Sequence, residues 1–365
     1  MKACISVASR DEYSETFIRD HINRLPCETI AIYGEWPTSE HNRRRIVPSL
    51  FRVLARALPS LTPWQDSFLT SFLRKAKVDV VMAEYATTAV PLVEVCRRSR
   101  IPLVVHFHGF DAYNVGVLKE FSSGYQRLFE AASAVVVGSR AMEQQVLKLG
   151  ASPKTLFYNP CGVDCSQFTA GDPSANPPVF VAVGRFVDKK APHLTLLAFE
   201  SVLKVCPEAR LVMVGNGNLL DACRQMAAAL NLDGSVEFRG ILSHEEVASV
   251  LKKGRALVQH SLTTSYGDSE GTAITILEAG ASGLPVVSTR HGGIQDTVID
   301  RQTGFLVNER DVLAMAACMI KLVQDPALAR VMGGRAREHV VANFSMDRSI
   351  QRLHEILQAT VDKQK

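Results

Sequence analysis

Two carboxylates with seven residues between them, Glu270 and Glu278, are the first candidates for chemistry in this sequence. Glu270 lies in a stretch of turn-forming glycine, serine and aspartate, and Thr272 is predicted to open a helix shortly after it. Glu278 then falls roughly 9 Å along that helix, at 1.5 Å per residue. The free backbone N–H groups of Gly271, Thr272 and Ala273 would point between the two acids.

A helix start between two acids suits one elongated ligand with phosphate at its centre. Helix N-termini attract phosphate through their free N–H groups and the helix dipole, and carboxylates accept hydrogen bonds from hydroxylated rings. A nucleotide sugar, with ribose, diphosphate and hexose in line, has this layout. Two acids at this spacing also occur on solvated helix faces. The spacing alone therefore does not distinguish a ligand site from a solvated surface, and the surrounding residues are needed.

The segment EGTAITILEAGASGLPVV, residues 270–287, resembles the E-x7-E signature of the family 4 retaining glycosyltransferases, which have the GT-B fold. In that family the first Glu faces the donor sugar and the second binds the nucleotide ribose. The resemblance implies a retaining hexosyltransferase that uses a nucleotide diphosphate sugar in polysaccharide, lipopolysaccharide or glycolipid synthesis. It also implies an α/β fold with two Rossmann-like parallel-sheet domains facing across a cleft, and a C-terminal helix crossing back to the first domain.

A glycine and two cations follow a predicted strand at residues 179–183. Gly184 lets the chain turn, and Arg185 and Lys190 flank a short loop where two cations can clamp a diphosphate. The stretch GRFVDKKAP, residues 184–192, resembles the family's G-R-x4-K loop, with Ala191 where glycine is commoner. A basic surface loop is the ordinary alternative. We prefer Lys190 to Lys189 for the clamp.

The stretch HFHGFDA, residues 106–112, places His108 and Asp111 at the carboxyl end of another predicted strand, where open α/β sheets bind ligands. HGFD resembles the motif by which these transferases place a histidine near the donor sugar. A histidine at a strand end is otherwise structural. Glu84, also at a predicted strand end, either faces the acceptor or caps the next helix.

The family's usual reaction needs neither a protein nucleophile nor a metal, since the departing phosphate takes the acceptor proton. The cations and the helix start would stabilise that leaving group. We expect no cofactor, and the sequence has no D-x-D triplet to hold a metal. The predicted catalytic residues are Arg185, Lys190, Glu270 and His108, and the predicted substrate-binding residues are Glu278, Gly271, Thr272, Ala273, Gly184 and Asp111.

Two alternatives stay open beside the transferase. A phosphorylase or a sugar-nucleotide epimerase shares the fold, and free phosphate as a reactant or epimer formation without acceptor would favour these. A non-catalytic nucleotide-sugar-binding protein is the third hypothesis, which turnover would exclude. Fold alone does not decide among them.

Residues 42–75 combine several arginines with Leu, Phe, Val and Trp. A basic amphipathic segment suits an anionic membrane surface, whereas a packed helix with a solvated basic face is the alternative. The expected partners are the nucleotide sugar, a glycan or lipid-linked acceptor and, through this segment, an anionic membrane. We expect no nucleic-acid partner.

Length and composition suit two globular domains. The chain has 365 residues, 47% hydrophobic, and a net charge of +4. The predicted domains are 1–170 on the acceptor side, 171–345 for the nucleotide sugar, and a returning helix at 346–365. No apolar run approaches the roughly 18 residues of a membrane span, and the eight cysteines are scattered, without a zinc pattern. We therefore expect a cytoplasmic protein, peripheral at the inner face of the membrane.

Overall fold

The computed structural model describes residues 1–8, 16–34, 39–40, 46 and 62–364. The chain divides into two compact units: unit 1, Met1–Pro160 with Ser349–Lys365, and unit 2, Cys161–Arg348. The first division falls ten residues before the predicted boundary at 170/171, and the second falls three residues after the predicted boundary at 345/346.

The strands of the described chain form two sheets, one in each unit. In chain order they are β1 (Lys2–Val7), β2 (Glu28–Tyr33), β3 (Ser39–Glu40), β4 (Val80–Glu84), β5 (Leu103–Phe107), β6 (Ala134–Val137), β7 (Leu156–Tyr158), β8 (Val179–Val183), β9 (Arg210–Val214), β10 (Val236–Gly240), β11 (Ala256–Gln259), β12 (Val286–Thr289) and β13 (Gly304–Val307).

The helices of the described chain lie between these strands and after them. They are α1 (Thr16–Arg24), α2 (Thr62–Lys75), α3 (Ala86–Ala89), α4 (Val93–Ser99), α5 (Phe110–Tyr113), α6 (Val115–Glu120), α7 (Ser122–Ala131), α8 (Arg140–Lys148), α9 (Pro192–Leu203), α10 (Leu220–Ala229), α11 (His244–Lys252), α12 (Ile274–Ala281), α13 (Ile294–Thr297), α14 (Val312–Gln324), α15 (Pro326–Asn343) and α16 (Met346–Asp362). Two 3₁₀ turns, Val90–Leu92 and Asp188–Lys190, complete the set.

The unit 1 sheet has the order β3-β2-β1-β4-β5-β6-β7. Every neighbouring pair is parallel except β2 with the two-residue β3. Its central strands are fully buried runs such as VVMAE and LVVHF. Such near-continuous apolar runs are typical of parallel strands covered by helices on both faces.

The unit 2 sheet has the order β10-β9-β8-β11-β12-β13, and all of its pairs are parallel. This is the strand order of a doubly wound Rossmann sheet, which reverses direction between the first strand and the fourth. Here the reversal falls between β8 and β11. Local signals begin the flanking helices: Ser243 and Glu246 form a capping box on α11, and Asp325 with Pro326 opens α15.

The last helix, α16, packs with unit 1 although it follows unit 2 in the chain. Ser349 Oγ donates to the carbonyl of Pro160 at 2.8 Å, and Asn159 Nδ2 donates to the carbonyl of Ser349 at 3.2 Å. The side chain of Gln364 donates to the carbonyl of Arg100. The C-terminal helix thus returns to the first unit, as predicted.

The predicted basic segment at 42–75 lies partly outside the described residues, which omit 42–45 and 47–61. The described part forms α2, where Leu69 and Leu73 are buried in the unit 1 core. Arg74 donates to the carbonyl of Arg98. This part of the segment therefore packs against its own unit.

No single helix of the described chain is long and apolar enough to cross a membrane. Helices α14 and α15 meet that criterion of length and composition only when taken together, and they are bent by 106° at the break between them.

Candidate active site

The carboxyl ends of β8 and β11 form the switch point of the unit 2 sheet, where open α/β sheets bind their ligands. Gly184 follows β8, and Gln259 ends β11. A recess opens there, and Gly184, Arg185, Lys190 and Gln259 are among its lining residues. The predicted cationic loop therefore lies at the position that the topology favours for a ligand.

The loop after β8 brings Lys190 back over Gly184. Gly184 has a φ of +153°, and a Cβ there would lie 2.8 Å from Cδ of Lys190. The absent side chain thus leaves room for the lysine stem. Lys190 Nζ lies 3.0 Å from Glu270 Oε1 and 3.5 Å from Gln259 Oε1. The structure brings together two of the predicted catalytic residues in one ion pair.

Glu270 is a buried carboxylate that stays ionised. Burial raises its pKa, but the ammonium groups of Lys190 and Lys189 outweigh that effect and lower the pKa to about 2. The carboxylate can therefore accept hydrogen bonds from sugar hydroxyls throughout the physiological pH range.

Glu278 is equally buried but differs in charge. Burial raises its pKa to about 7, and the charge of Lys190 offsets only part of that rise. Among the described residues it makes no ion pair within 4.0 Å. A carboxyl group whose pKa lies near physiological pH can ionise when two vicinal hydroxyls, such as those of a ribose, donate hydrogen bonds to it.

The helix between the two acids begins later than predicted. It starts at Ile274, with Ala273 as its N-cap, rather than at Thr272. Gly271, Thr272 and Ala273 therefore belong to the loop before α12, and Glu278 lies four residues into the helix. Thr275, in the first turn, donates from Oγ1 to Gln259 Oε1 at 3.2 Å, which ties the helix start to β11.

The two remaining cations of the loop differ in exposure. Arg185 is exposed, and its guanidinium has no ion-pair partner among the described residues. Lys189 is buried, with Nζ 3.2 Å from Asp268 Oδ1 and 3.4 Å from the carbonyl of Ser269. Arg185 is thus free to meet an anion, whereas Lys189 links its loop to the loop that carries Glu270.

Sequence reasoning missed His291, which supports Glu270. His291 Nε2 accepts the backbone N–H of Glu270 at 3.1 Å, and its Nδ1 lies 2.7 Å from Glu309 Oε1. Since Nε2 accepts, the proton of the neutral ring is on Nδ1 and donates to Glu309. The only local signal was the His-Gly-Gly turn after β12, which by itself indicates a loop.

In unit 1, His108 lies in a buried cluster with Glu84. His108 Nε2 is 2.6 Å from Glu84 Oε2, and His21 Nδ1 is 2.7 Å from Glu84 Oε1. His106 Nδ1 lies 3.5 Å from Glu84 Oε2. Glu84 therefore does not cap the next helix, because its carboxylate is engaged with histidines instead.

Asp111 was predicted to bind substrate, but its contacts lie within unit 1. Its Oδ2 accepts the backbone N–H of Ala86 at 2.7 Å, and its Oδ1 accepts that of His108 at 2.9 Å. The side chain is fully buried, and burial raises its pKa. Each oxygen accepts one backbone N–H, so Asp111 holds the turn after β5, and its contact with substrate stays a prediction.

Three buried residues of the described chain could hold a metal ion, although no metal was expected from the sequence. His21, Glu84 and His106 offer ligand atoms that all lie within 4.8 Å of one another. Both ring nitrogens of His106 are without a hydrogen-bond partner among the described residues.

Two Rossmann-like units in one chain, with a cation and two carboxylates at the switch point of the second, define a GT-B protein. The family model described as "Glycosyltransferase Family 4" matches residues 18–167, and that of "Glycosyl transferases group 1" matches residues 167–339. Together these models span most of both units. The chain belongs to glycosyltransferase family 4.

Relatives and solved structures agree with this family. WcaL of Salmonella typhimurium, provisionally named a colanic acid biosynthesis glycosyltransferase, is 29% identical over 69% of the chain and 63% of WcaL. The chain thus spans less than two thirds of that relative. A GDP-mannose-dependent phosphatidylinositol monomannoside mannosyltransferase of Corynebacterium glutamicum is 24% identical over 94% of both proteins. The crystal structure of Anabaena HepE with UDP-glucose shares the fold, with a TM-score of 0.77 at 18% identity, over 98% of this chain and 100% of HepE.

Proposed function

We propose that this chain is a retaining, metal-independent hexosyltransferase that moves a hexose from a nucleotide diphosphate sugar to the hydroxyl of a glycan or lipid-linked acceptor. It would act in polysaccharide, lipopolysaccharide or glycolipid synthesis, on the cytoplasmic face of the membrane. The observation that carries the proposal is the ion pair of Lys190 with Glu270 at the unit 2 switch point, beside Gln259 and the start of α12.

The geometry supports separate roles for these groups. Lys190 and the exposed Arg185 supply positive charge to the leaving diphosphate, which is electrostatic stabilisation of charge that develops in the transition state. The ionised carboxylate of Glu270 accepts hydrogen bonds from the hexose. Glu278, whose pKa burial raises to about 7, accepts the hydrogen bonds of the ribose hydroxyls. Gly184 and residues 271–273 line the path of the phosphates.

The relatives support the substrate classes without deciding among them. HepE was crystallised with UDP-glucose, and the Corynebacterium mannosyltransferase is named for GDP-mannose and a phosphatidylinositol acceptor. The proposed donor is therefore a uridine or guanosine diphosphate hexose. His108 is proposed to contact the hexose, a role that rests on its HGFD motif.

The test is a transfer assay in EDTA with UDP-, GDP- and ADP-hexoses and a mixture of glycan and glycolipid acceptors. We expect release of one nucleoside diphosphate that depends on acceptor, and an anomeric configuration in the product, read by NMR, identical to that of the donor. An inverted product would contradict retention. A requirement for free phosphate, or epimer formation without acceptor, would contradict transfer and favour a phosphorylase or an epimerase.

A further inference from the structure

The carboxyl ends of β4 and β5 in unit 1 hold a cluster of ionisable groups that the proposed reaction does not account for. Glu84 and His106 are fully buried, His21 is 2% exposed, and the side chain of His108 is 6% exposed. Four titratable groups that are so deeply buried need a defined arrangement of protons, because an unpaired buried charge is strongly destabilising.

The distances within this cluster locate two of the protons. Glu84 Oε1 lies 2.7 Å from His21 Nδ1, and Glu84 Oε2 lies 2.6 Å from His108 Nε2. Heavy atoms this close share a hydrogen. An ionised carboxylate supplies none, so each imidazole must carry the proton at the nitrogen that faces Glu84. Burial raises the pKa of Glu84, but the neighbouring histidines outweigh it and hold the pKa well below its usual range.

Packing holds the His108 ring in this orientation. Ring centroids of Phe17, Tyr85 and His106 lie 4.5, 4.8 and 4.2 Å from that of His108. His106 itself is uncharged, since burial lowers its pKa to about 3. His106 therefore packs against the His108 ring as an uncharged aromatic group and does not compete with it, as a cation, for the carboxylate of Glu84.

Metal coordination fits these distances less well than hydrogen bonding does. Ligands at 2.0–2.1 Å from a tetrahedral zinc stand about 3.3 Å apart. Of the three possible ligands, His106 lies 3.5 Å from Glu84, which a zinc site allows. His21 lies only 2.7 Å from Glu84, and His108 lies 2.6 Å from it, which are the lengths of charge-assisted hydrogen bonds. The distances therefore fit a cluster of hydrogen-bonded side chains better than a zinc site.

We propose that Glu84 is a positioning residue for His108. It keeps the proton of His108 on Nε2 and so leaves Nδ1 as the atom that accepts a hydrogen bond from a substrate hydroxyl, while His21 anchors the other oxygen of Glu84. Among the described residues, Nδ1 of His108 makes no hydrogen bond. The inference rests on the proposed function for the identity of the substrate, but the proton arrangement does not depend on it.

The first test is the tautomer of His108 in the wild-type protein, read from long-range ¹H–¹⁵N correlations of the imidazole ring. The signals are assigned by their loss in His108→Gln. We expect a protonated Nε2 and an unprotonated Nδ1. A proton on Nδ1, alone or together with one on Nε2, would overturn the proposal. This result stands even if no sugar transfer is ever detected, so it separates failure of this inference from failure of the proposed function.

The second test is Glu84→Gln, whose amide has one acceptor oxygen and so can accept from only one of the two histidines. Where the NH2 group faces His108, it donates to Nε2 and the ring proton moves to Nδ1. We expect kcat to fall on the order of 10–100-fold, as for other partners that orient a histidine, with a smaller change in KM for the donor. The matched control is Asp66→Asn, which removes a buried carboxylate of α2 that neighbours Arg98 and Glu94. We expect the control to keep its kcat.

Two results would contradict the proposal: an unchanged kcat in Glu84→Gln although its His108 proton has moved to Nδ1, or one equivalent of zinc in wild-type protein that Glu84→Gln loses. If Glu84→Gln does not fold, or keeps the His108 proton on Nε2 through its amide oxygen, the wild-type tautomer decides. Rescue is not expected from Glu84→Asp, because the shorter side chain cannot reach both His21 and His108 at their present separations.

Discussion

Lys190 lies between two oxygens, Glu270 Oε1 at 3.0 Å and Gln259 Oε1 at 3.5 Å. Its charge keeps the buried carboxylate of Glu270 ionised, and it is also the cation proposed to meet the diphosphate. Lys190 thus contacts the carboxylate proposed to bind the hexose and is itself proposed to bind the diphosphate.

Replacement of Lys190 should therefore damage turnover more than folding. We predict that Lys190→Ala lowers kcat on the order of 10²–10³-fold, the usual cost of removing one group that stabilises developing charge. Lys204→Ala is the control, since it removes the same charge from an exposed position on α9's C-terminal side, beside Glu200. Steady-state kinetics of both variants check this, and equal activity in the two would remove Lys190 from the mechanism.

The proton on Glu278 predicts a pH dependence of stability. In the folded chain its pKa is raised to about 7, above the ordinary value of 4.5, because of burial. Its contribution to stability is thus fully present below pH 4.5 and is lost as pH rises through 7. We predict that the free energy of unfolding of the ligand-free protein falls between these values, and that Glu278→Gln shows a flatter curve by denaturant titration. Identical slopes would contradict this account.

At the scale of elements, the turn after β12 holds the loop before α12. His291 accepts the backbone N–H of Glu270, and Lys189 binds the carbonyl of Ser269. Glu270 lies before the first turn of α12, so the helix itself does not fix its position. Contacts from the two loops that carry His291 and Lys189 do so instead.

His291 offers a matched pair of variants. The amide oxygen of Gln reaches the position of Nε2 and can still accept from Glu270, whereas Asn reaches only the position of Nδ1, beside Glu309. We predict that His291→Asn lowers stability by about 1–3 kcal/mol, the cost of an unsatisfied buried N–H, and lowers kcat, while His291→Gln restores most of both. Thermal melts and kinetics test this; equal loss in the two variants would contradict the hydrogen bond's role.

Gly292 offers a second pair in the same turn. It has a φ of +45°, and a Cβ there would lie 2.3 Å from the carbonyl oxygen of Glu270. Gly283 also has a positive φ, +74°, but its Cβ would meet nothing closer than 3.6 Å. Both alanine variants should lose about 1–2 kcal/mol to backbone strain. We predict that Gly292→Ala alone also loses activity, which kinetics of the two variants would show or refute.

Much of the fold could be read from the sequence because parallel strands are continuous apolar runs. Strand β8 has the predicted bounds, 179–183. Strand β7 has only three residues, all half-buried, and so carries no periodicity that the sequence could show.

The candidate site was predictable only where its residues sit in local motifs. Lys190 and Glu270 each belong to a recognisable stretch, and the structure pairs them. His21 and Glu84, by contrast, are 63 residues apart in the chain, so only the folded sheet brings them together. The predicted start of α12 at Thr272 is too early because the backbone of Ala273 has a ψ of 88°, outside the helical region, and the helix begins only at Ile274.

At the scale of the whole molecule, each unit places its candidate chemistry at the carboxyl ends of its central strands. Glu84 ends β4 and His108 follows β5 in unit 1, while Gly184 follows β8 and Gln259 ends β11 in unit 2. The same topological rule therefore locates the important side chains in both sheets.

The central claim is that unit 2 binds a nucleotide diphosphate sugar through these residues. The most direct measurement is a thermal-shift panel of uridine, guanosine and adenosine diphosphates and their hexoses, in EDTA, on wild type and Glu278→Ala. A ligand that binds only the folded state raises the melting temperature. We predict a rise for one base that is reduced in Glu278→Ala. No rise with any nucleotide, or an equal rise in the variant, would contradict the account.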